Sequence, residues 1–467
     1  MAFLIVLAAL VFLMVVAYRG HSVILFAPIA ALGAVLLTDP SLVAPMFTGL
    51  FMDKMVGFLK LYFPVFVLGA VFGKVIELSG FSRAIVNAAI RVVGPQRAML
   101  SIVLVCALLT YGGVSLFVVV FAVYPFAAEL FRQSDIPKRL IPGTIALGAF
   151  TFTMDALPGT PQIQNIIPAS FFGTNGWAAP WLGTIGAVAI LIAGMTYLES
   201  RRRAAARKGE GYGDAATLVN EPVAFTGARL AHPLVALLPL VLVGVVNKLL
   251  TSAIPKWYGA EHSFKPGVIG DPAPVVQEIA KVTAIWAVEG ALLAGILAVL
   301  VLAWKPVRAR FAEGSKSAIG GALLASMNTA SEYGFGAVIA ALPGFLVVAD
   351  ALRAIPNPLV NEAVTVTALA GITGSASGGM SIALAAMADT FIANANAAGI
   401  SMEVLHRIAA MASGGMDTLP HNGAVITLLA VTGLTHRQSY KDIFAITLIK
   451  TMAVFLVIAV FYATGIV

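Results

Sequence analysis

The sequence predicts an all-α polytopic membrane protein built from two inverted-topology repeats, each carrying a re-entrant hairpin and a broken helix. Three observations lead there: scarce charge, an internal repeat, and unequal basic residues in the two copies. Of 467 residues, 60% are hydrophobic and 11% charged, with a mean hydropathy of +0.95. Soluble domains run near a quarter charged. The run Ala156–Leu198 contains no Asp, Glu, Lys or Arg, and a helix needs about 20 apolar residues to cross the hydrocarbon layer.

The net charge of +7 reflects basic residues in short connections between apolar runs, where membrane proteins gather them on the cytoplasmic side. It is read as topology, not as a nucleic-acid surface. Cys106 is the sole cysteine, so an internal disulfide and a multi-thiolate metal site are both excluded. It is read as a small packing residue. The apolar run Ala2–Ala17 has no basic residue before it and Arg19 after it. That reverses the polarity of a secretory signal peptide, so the run is expected to remain as a helix with its N-terminus outside.

Apolar runs place spans at 2–18, 22–38 and 60–79, a long element at 97–131, and spans at 139–173 and 178–198. The polar stretch from Glu199, with Arg201, Arg202, Arg203, Arg207 and Lys208, is expected to be a cytoplasmic link. Spans follow at 231–250, 282–304 and 317–341, then a second long element at 359–390 and spans at 405–431 and 443–464. The expected organisation is an N-terminal helix (1–19), a first repeat (20–198), the link (199–230), a connecting helix with an external loop (231–281) and an inverted second repeat (282–467). About ten spans plus two hairpins result.

The repeat is visible in short matches. Phe72-Gly73-Lys74-Val75-Ile76 recurs as Phe335-Gly336-Ala337-Val338-Ile339, Gly80-Phe81 as Gly344-Phe345, Gly112-Gly113-Val114-Ser115 as Gly378-Gly379-Met380-Ser381, and Met154-Asp155-Ala156-Leu157-Pro158 as Met416-Asp417-Thr418-Leu419-Pro420. Their common order and nearly constant separation carry the inference. Connections beside the first long element hold Arg83, Arg91, Arg97, Arg132, Lys138 and Arg139, against Arg353 and Arg407 beside the second. That imbalance orients the copies oppositely.

Residues 98–128 are uncharged, too long for one upright helix and too short for two. A hairpin with its tip at Thr110-Tyr111-Gly112-Gly113-Val114-Ser115 fits, and its counterpart is Thr373-Gly374-Ser375-Ala376-Ser377-Gly378-Gly379. Non-helical backbone at membrane depth must be buried in protein or line a wet cavity. Small residues also serve tight helix packing, but the repeat and the hydroxyl clustering favour tips that approach an anion. Pro158 and Pro161 each remove a donor and break the helix at 151–162, and 413–423 is its partner.

Asp155 and Asp417 are the first ionisable candidates, because a carboxylate at membrane depth is costly and by default functional. N-capping of the restarted helix is the competing role, and the two are compatible. His421 suits proton coupling or substrate binding, and an ordinary interfacial histidine is the alternative. Glu332 lies deep in a span among polar neighbours and is a further coupling candidate. Glu129 and Asp389 fit interfacial positions, and Glu289 is a further acid within an apolar run. Lys74 and Glu77 lie near a span end, where they can snorkel. No HExxH, GxSxG or Cys/His ligand spacing occurs, so neither an enzyme nor a bound metal is expected.

At these residues the chain resembles the gluconate:proton symporter family, within the larger ion transporter superfamily of inverted-repeat hairpin carriers. The resemblance spans essentially the whole length and is densest over Leu109–Tyr124, Ile136–Asn165 and Gly414–Ala430. It implies import of sugar acids or small hydroxy acids, such as gluconate or 3-hydroxybutyrate, with protons across the bacterial inner membrane. It also implies that Thr110–Ser115, Asp155–Gln164, Ser375–Ser381 and Asp417–Asn422 line the site. The first break, Leu157-Pro158-Gly159-Thr160-Pro161, departs from the histidine- and proline-rich break of the gluconate branch and looks closer to the hydroxybutyrate-type branch.

The expected substrate ligands are Thr110, Gly112, Gly113, Ser115, Thr160, Gln162, Ser375, Ser377, Gly378, Gly379 and Asn422, with Asp155, Asp417, His421 or Glu332 taking the coupling proton. No cofactor is expected. The partners are a small organic anion and the bilayer, and the superfamily implies a homodimer with elevator-like movement. The alternatives are a sodium-coupled carboxylate carrier, or an organic-anion channel or exporter.

Overall fold

The computed structural model describes residues 2–19, 21–93, 97–114, 116–213, 218–221, 231–265, 274–345, 347, 355–420 and 422–467. The chain is an all-α polytopic membrane protein. Its first half comprises α1 (Ala2–Tyr18), α2 (Val23–Thr38), α3 (Met52–Leu78), α4 (Phe81–Val93), a hairpin of α5 (Ala98–Tyr111) and α6 (Leu116–Gln133), a broken pair of α7 (Ile141–Ala149) and α8 (Ile163–Phe172), and α9 (Pro180–Arg207). Among the described residues the second half follows the same order without a counterpart of α4: α10 (Pro233–Tyr258), α11 (Ile279–Leu302), α12 (Phe311–Ala341), a hairpin of α13 (Pro358–Thr373) and α14 (Ala376–Ala397), a broken pair of α15 (Met402–Ser413) and α16 (Gly423–Thr432), and α17 (His436–Thr464). Among the described residues six helices are long and apolar enough to cross a membrane.

Packing relates the halves by exchange of partners. Helix α2 packs on α12 as α11 packs on α3, α8 on α14 as α16 on α6, and α1 on α2 as α10 on α11. The self-paired contacts α3·α12 and α9·α17 lie where a two-fold axis would pass. The exchanged contacts set the two halves against each other between two opposite faces of the bundle.

Side-chain contacts locate those faces. On one, Lys74 and Leu78 of α3 pack on Gly314 of α12, and Arg201 of α9 pairs with Asp442 of α17 at 2.7 Å. On the other, Tyr462 of α17 bonds Asn357 at 3.1 Å. Trp181 and Trp257, 68% and 66% exposed, sit near that second face as interfacial anchors. Leu234, Leu238, Val241, Val245 and Leu249 form an exposed apolar face on α10, suited to lipid.

Several local features differ from the sequence reading. Helix α4 is amphipathic, burying Phe81, Ala84 and Ile85 while Arg91 stays exposed, so a segment read as a connection is helical. Residues 261–264 and 275–278 pair as two antiparallel strands, Glu261 opposite Glu278, within the expected external loop. Helix α9 continues to Arg207, past the expected end at 198, because Glu199 pairs with Arg202 and Arg203 at helical spacing. Arg407, read as a connection residue, is wholly buried within α15, and Arg353 lies outside the described residues. Glu129 pairs with Arg132 at 2.8 Å on the surface and Asp389 is exposed.

The segment after α9 is docked, not free. Glu221 accepts from Lys138 at 2.7 Å and also pairs with Arg132, and the Tyr212 hydroxyl donates to it at 3.0 Å. Asn220 donates to the Ala430 carbonyl at 2.9 Å, while Tyr124 donates to the Asn220 carbonyl at 2.8 Å. Burial alone would raise the Glu221 carboxyl, but hydrogen bonds from Lys138 and Arg132 outweigh it and hold it below its ordinary value. A depressed folded-state pKa contributes stability that is present above the ordinary carboxylate range and lost as pH falls through the depressed value. Protection of the amides over 208–213 and 218–221, taken relative to their intrinsic exchange rates at each pH, is therefore expected to fall as pH drops below the ordinary carboxylate range, and Glu221→Gln to give the same loss at neutral pH. Protection indifferent to both would contradict the docking.

Candidate functional site

The site is assembled from two hairpin tips and two helix breaks. In the first hairpin, α5 ends at Tyr111 and the chain reverses through Gly112 and Gly113, the latter at φ +92°, a left-handed conformation that favours glycine. The Gln162 amide donates to the Thr110 carbonyl at 2.8 Å and to that of Val114 at 3.3 Å, and the Tyr111 hydroxyl donates to the Pro158 carbonyl at 2.8 Å. The first break is thereby tied to the first tip.

The second half repeats the device. Helix α13 closes on Gly374 at φ +65°, and the Ser375 side chain caps α14 by accepting from the Gly378 amide at 3.1 Å. Asn422 donates to the Gly374 carbonyl at 2.8 Å and accepts from the Val425 amide at 2.8 Å. Gln162 and Asn422 are both among the expected substrate ligands. Both border the cavity described below, but their amide nitrogens are spent on tip carbonyls.

Backbone released at the breaks is satisfied internally, as membrane burial demands. Thr151 and Thr153 donate to the Leu147 and Gly148 carbonyls at 2.6 and 2.7 Å, and Thr160 donates to the Thr153 carbonyl at 2.8 Å. Thr418 and Thr447 hydroxyls meet at 2.6 Å in the second break.

Two buried cations lock the breaks together. Arg407 donates to the Ala178 carbonyl at 2.7 and 3.2 Å, to the Asp155 carbonyl at 3.1 Å and to Asn165 Oδ1 at 3.0 Å. Lys450 Nζ lies 2.5 Å from Asp417 Oδ1 and 3.1 Å from the Phe150 carbonyl. Asp155 Oδ2 is buried with no hydrogen-bond partner and rests against Gly414 of the other break.

A cavity of about 1120 Å³ reaches this assembly from the face bearing the link. His21, Ser22, Lys74, Glu77 and Ser317 border its outer part, and Lys74 pairs with Glu77 at 2.8 Å there. Its floor takes in Leu116, Ile163, Ala376 and Gly423, the first residues of α6, α8, α14 and α16. Four helix N-termini thus converge on one space, each bringing the positive end of a dipole, with side-chain caps from Ser375 and Asn422 already engaging one N–H of α14 and one of α16. Glu332 stands opposite Ser375 and Ser377 in the wall, with Thr329 Oγ1 3.3 Å from Ser377 Oγ. Glu332 Oε2 has no hydrogen-bond partner.

Of the residues singled out from sequence, Gly113, Gln162, Ser375, Ser377, Asn422, Asp417 and Glu332 border the cavity. Thr110 and Thr160 are buried behind it. A Cβ at Gly112 would meet Leu240 of α10, at Gly378 the Glu332 carboxylate, and at Gly379 the Ala370 backbone. These three glycines therefore serve close packing. Ser115 and His421 lie outside the described residues. Lys450, Arg407 and Glu362, the last buried with both oxygens unpartnered, were missed. Lys450 falls well inside the predicted span 443–464, where a charge is itself the signal.

No family model matches the sequence. An uncharacterized transporter, YxjC, of Bacillus subtilis strain 168 is 60% identical over 475 residues, covering 100% of both chains. Among solved structures, the YdaH transporter of Alcanivorax borkumensis is 15% identical, with 92% of this chain and 90% of that one covered at a TM-score of 0.48.

Proposed function

The chain belongs to the family of the Bacillus subtilis transporter YxjC, and from that membership we propose that it is a secondary active symporter importing a small organic anion with protons. The carrying observation is the convergence of α6, α8, α14 and α16 N-termini on one cavity. Such ends hold carboxylates without a fixed countercharge, which lets the site release its cargo. A hydroxy-monocarboxylate such as 3-hydroxybutyrate suits the small hydroxyls of Ser375 and Ser377 beside those N-termini, and a sugar acid such as gluconate is the larger candidate. The resemblance of the tip and break sequences to the gluconate:proton symporter family is the support for naming these two acids.

The coupling proton is assigned to the buried carboxylates Asp155, Asp417 and Glu332, of which the last two border the cavity and Asp155 does not; ionisation of each at membrane depth is costly unless balanced. The helices divide by packing into a frame of α1–α3 with α10–α12 and a core of α5–α9 with α13–α17, meeting chiefly along α12 and α14. Movement of the core against the frame is the transport step, in a homodimer. The bias of basic residues toward the first repeat supports an N-terminus outside and the link at 199–230 inside, in a bacterial inner membrane. The cavity is then open to the cytoplasm.

Proteoliposomes with an imposed pH gradient and labelled 3-hydroxybutyrate or gluconate test this. Accumulation should exceed equilibrium and collapse with a protonophore. Asp155→Asn should remove the proton stimulation, roughly 5- to 150-fold for a typical coupling free energy. Passive equilibration would make the protein a channel, accumulation driven by sodium alone would make it sodium-coupled, and full proton drive in the variant would free Asp155 of its role.

A further inference from the structure

The two breaks are related by the repeat, yet their carboxylates are treated differently. Asp417 is held by a lysine, whereas Asp155 Oδ2 is buried with no hydrogen-bond partner. The asymmetry is written into the last helix of each half. Helix α17 carries Lys450 at its centre, 2% exposed, while α9 has no Asp, Glu, Lys or Arg from Pro180 to Leu198. The groups within electrostatic reach of Asp155 are Lys450, Asp417 and Arg407. Arg407 spends its donors on carbonyl oxygens, including Asp155's own main chain.

Around Lys450 Nζ stand one carboxylate oxygen, Asp417 Oδ1 at 2.5 Å, and one main-chain carbonyl, Phe150 at 3.1 Å. Phe150 belongs to the first break and Asp417 to the second, and both border the cavity. A single carboxylate with a carbonyl freed by an interrupted helix is oxygen ligation of net charge −1, the chemistry that receives a hard monovalent cation at a broken helix. An ammonium is a compact point charge that can occupy the same position.

We propose that Asp417 and the Phe150 carbonyl form a monovalent-cation seat that Lys450 fills permanently as a tethered cation, while Asp155, buried and without such a partner, is left to the proton. The inference rests on the transport reading above and narrows it, because a cation fixed at Asp417 leaves Asp155 and Glu332 as the carboxylates that exchange protons. The bound form then needs no sodium at Asp417. Lys450 is a positioning residue here, since it reaches the cavity only through Asp417 and Phe150.

The test needs no transported substrate, so its failure is separable from failure of the transport reading. Unfolding of the parent, Lys450→Met and the double variant Lys450→Met/Asp417→Asn is followed in membranes heated in sodium, lithium, potassium or choline chloride at equal ionic strength. The parent should show no cation-specific shift. Lys450→Met should gain a shift of roughly 2 °C or more with an alkali cation over choline, and the double variant should lose it. Should Lys450→Met be folded only in an alkali salt, that is the same result at its extreme. A single variant unfolded in every salt overturns the proposal, whether or not the double variant folds. So does a single variant indifferent to the cations, or a parent that itself shows a sodium shift.

Discussion

Arg407→Met is expected to destabilise the protein by about 3–5 kcal/mol, measured as the thermal unfolding midpoint in detergent or membranes. The guanidinium has no exposure and donates to the Ala178 and Asp155 carbonyls and to Asn165 Oδ1. Each acceptor orphaned away from water costs about 1–3 kcal/mol. Methionine fills much of the volume and removes the cost of burying a charge, which offsets part of the loss. Lysine keeps the charge but cannot reproduce the planar fork, so Arg407→Lys should recover little. A midpoint within about 2 °C of the parent would show that the arginine is not what fixes the first break.

Gly379→Ala should prevent the second hairpin from closing, costing more than about 3 kcal/mol, at the upper end of overpacking penalties. Its new methyl would collide with Ala370 Cα and N, main-chain atoms of the opposing arm that cannot turn aside. Gly378→Ala is a useful contrast. Its methyl would run into the Glu332 carboxylate and Ser375 Oγ at 2.9 Å, and side-chain ends can move. A smaller loss of about 1–3 kcal/mol is expected there, with a larger effect on transport, because α12 and α14 would be pushed apart along the frame–core boundary. Equal unfolding midpoints for the two variants would contradict this reading of the tip.

Both tips and both breaks are legible from the chain, because glycine pairs and prolines in uncharged runs have few other uses. The roles inside them are less so. Thr160 reads as a ligand when only its neighbours in sequence are known, and its hydroxyl turns out to replace a lost helical bond to Thr153. Asn422 and Gln162 look like substrate readers, yet each ties a break to a tip. Such assignments depend on which carbonyl lies opposite, a tertiary fact that spacing does not encode. Arg407 was taken for a loop residue because charge usually marks a span's end, and its four hydrogen bonds come from residues 229 to 252 positions away. Helix α4 was missed for a related reason: Arg83 and Arg91 interrupt its apolar pattern without interrupting its helix.

The exchange of partners between halves has a consequence for biogenesis. When synthesis has reached the link, α3, α6 and α8 still lack the second-half helices that will cover them, α12, α16 and α14. The nascent first half must wait in the bilayer with polar break residues such as Asp155 and Asn165 unclasped, since Arg407 has not yet been translated. Closure of the breaks therefore waits for α15, and a chain truncated before it should be handed to quality-control proteases.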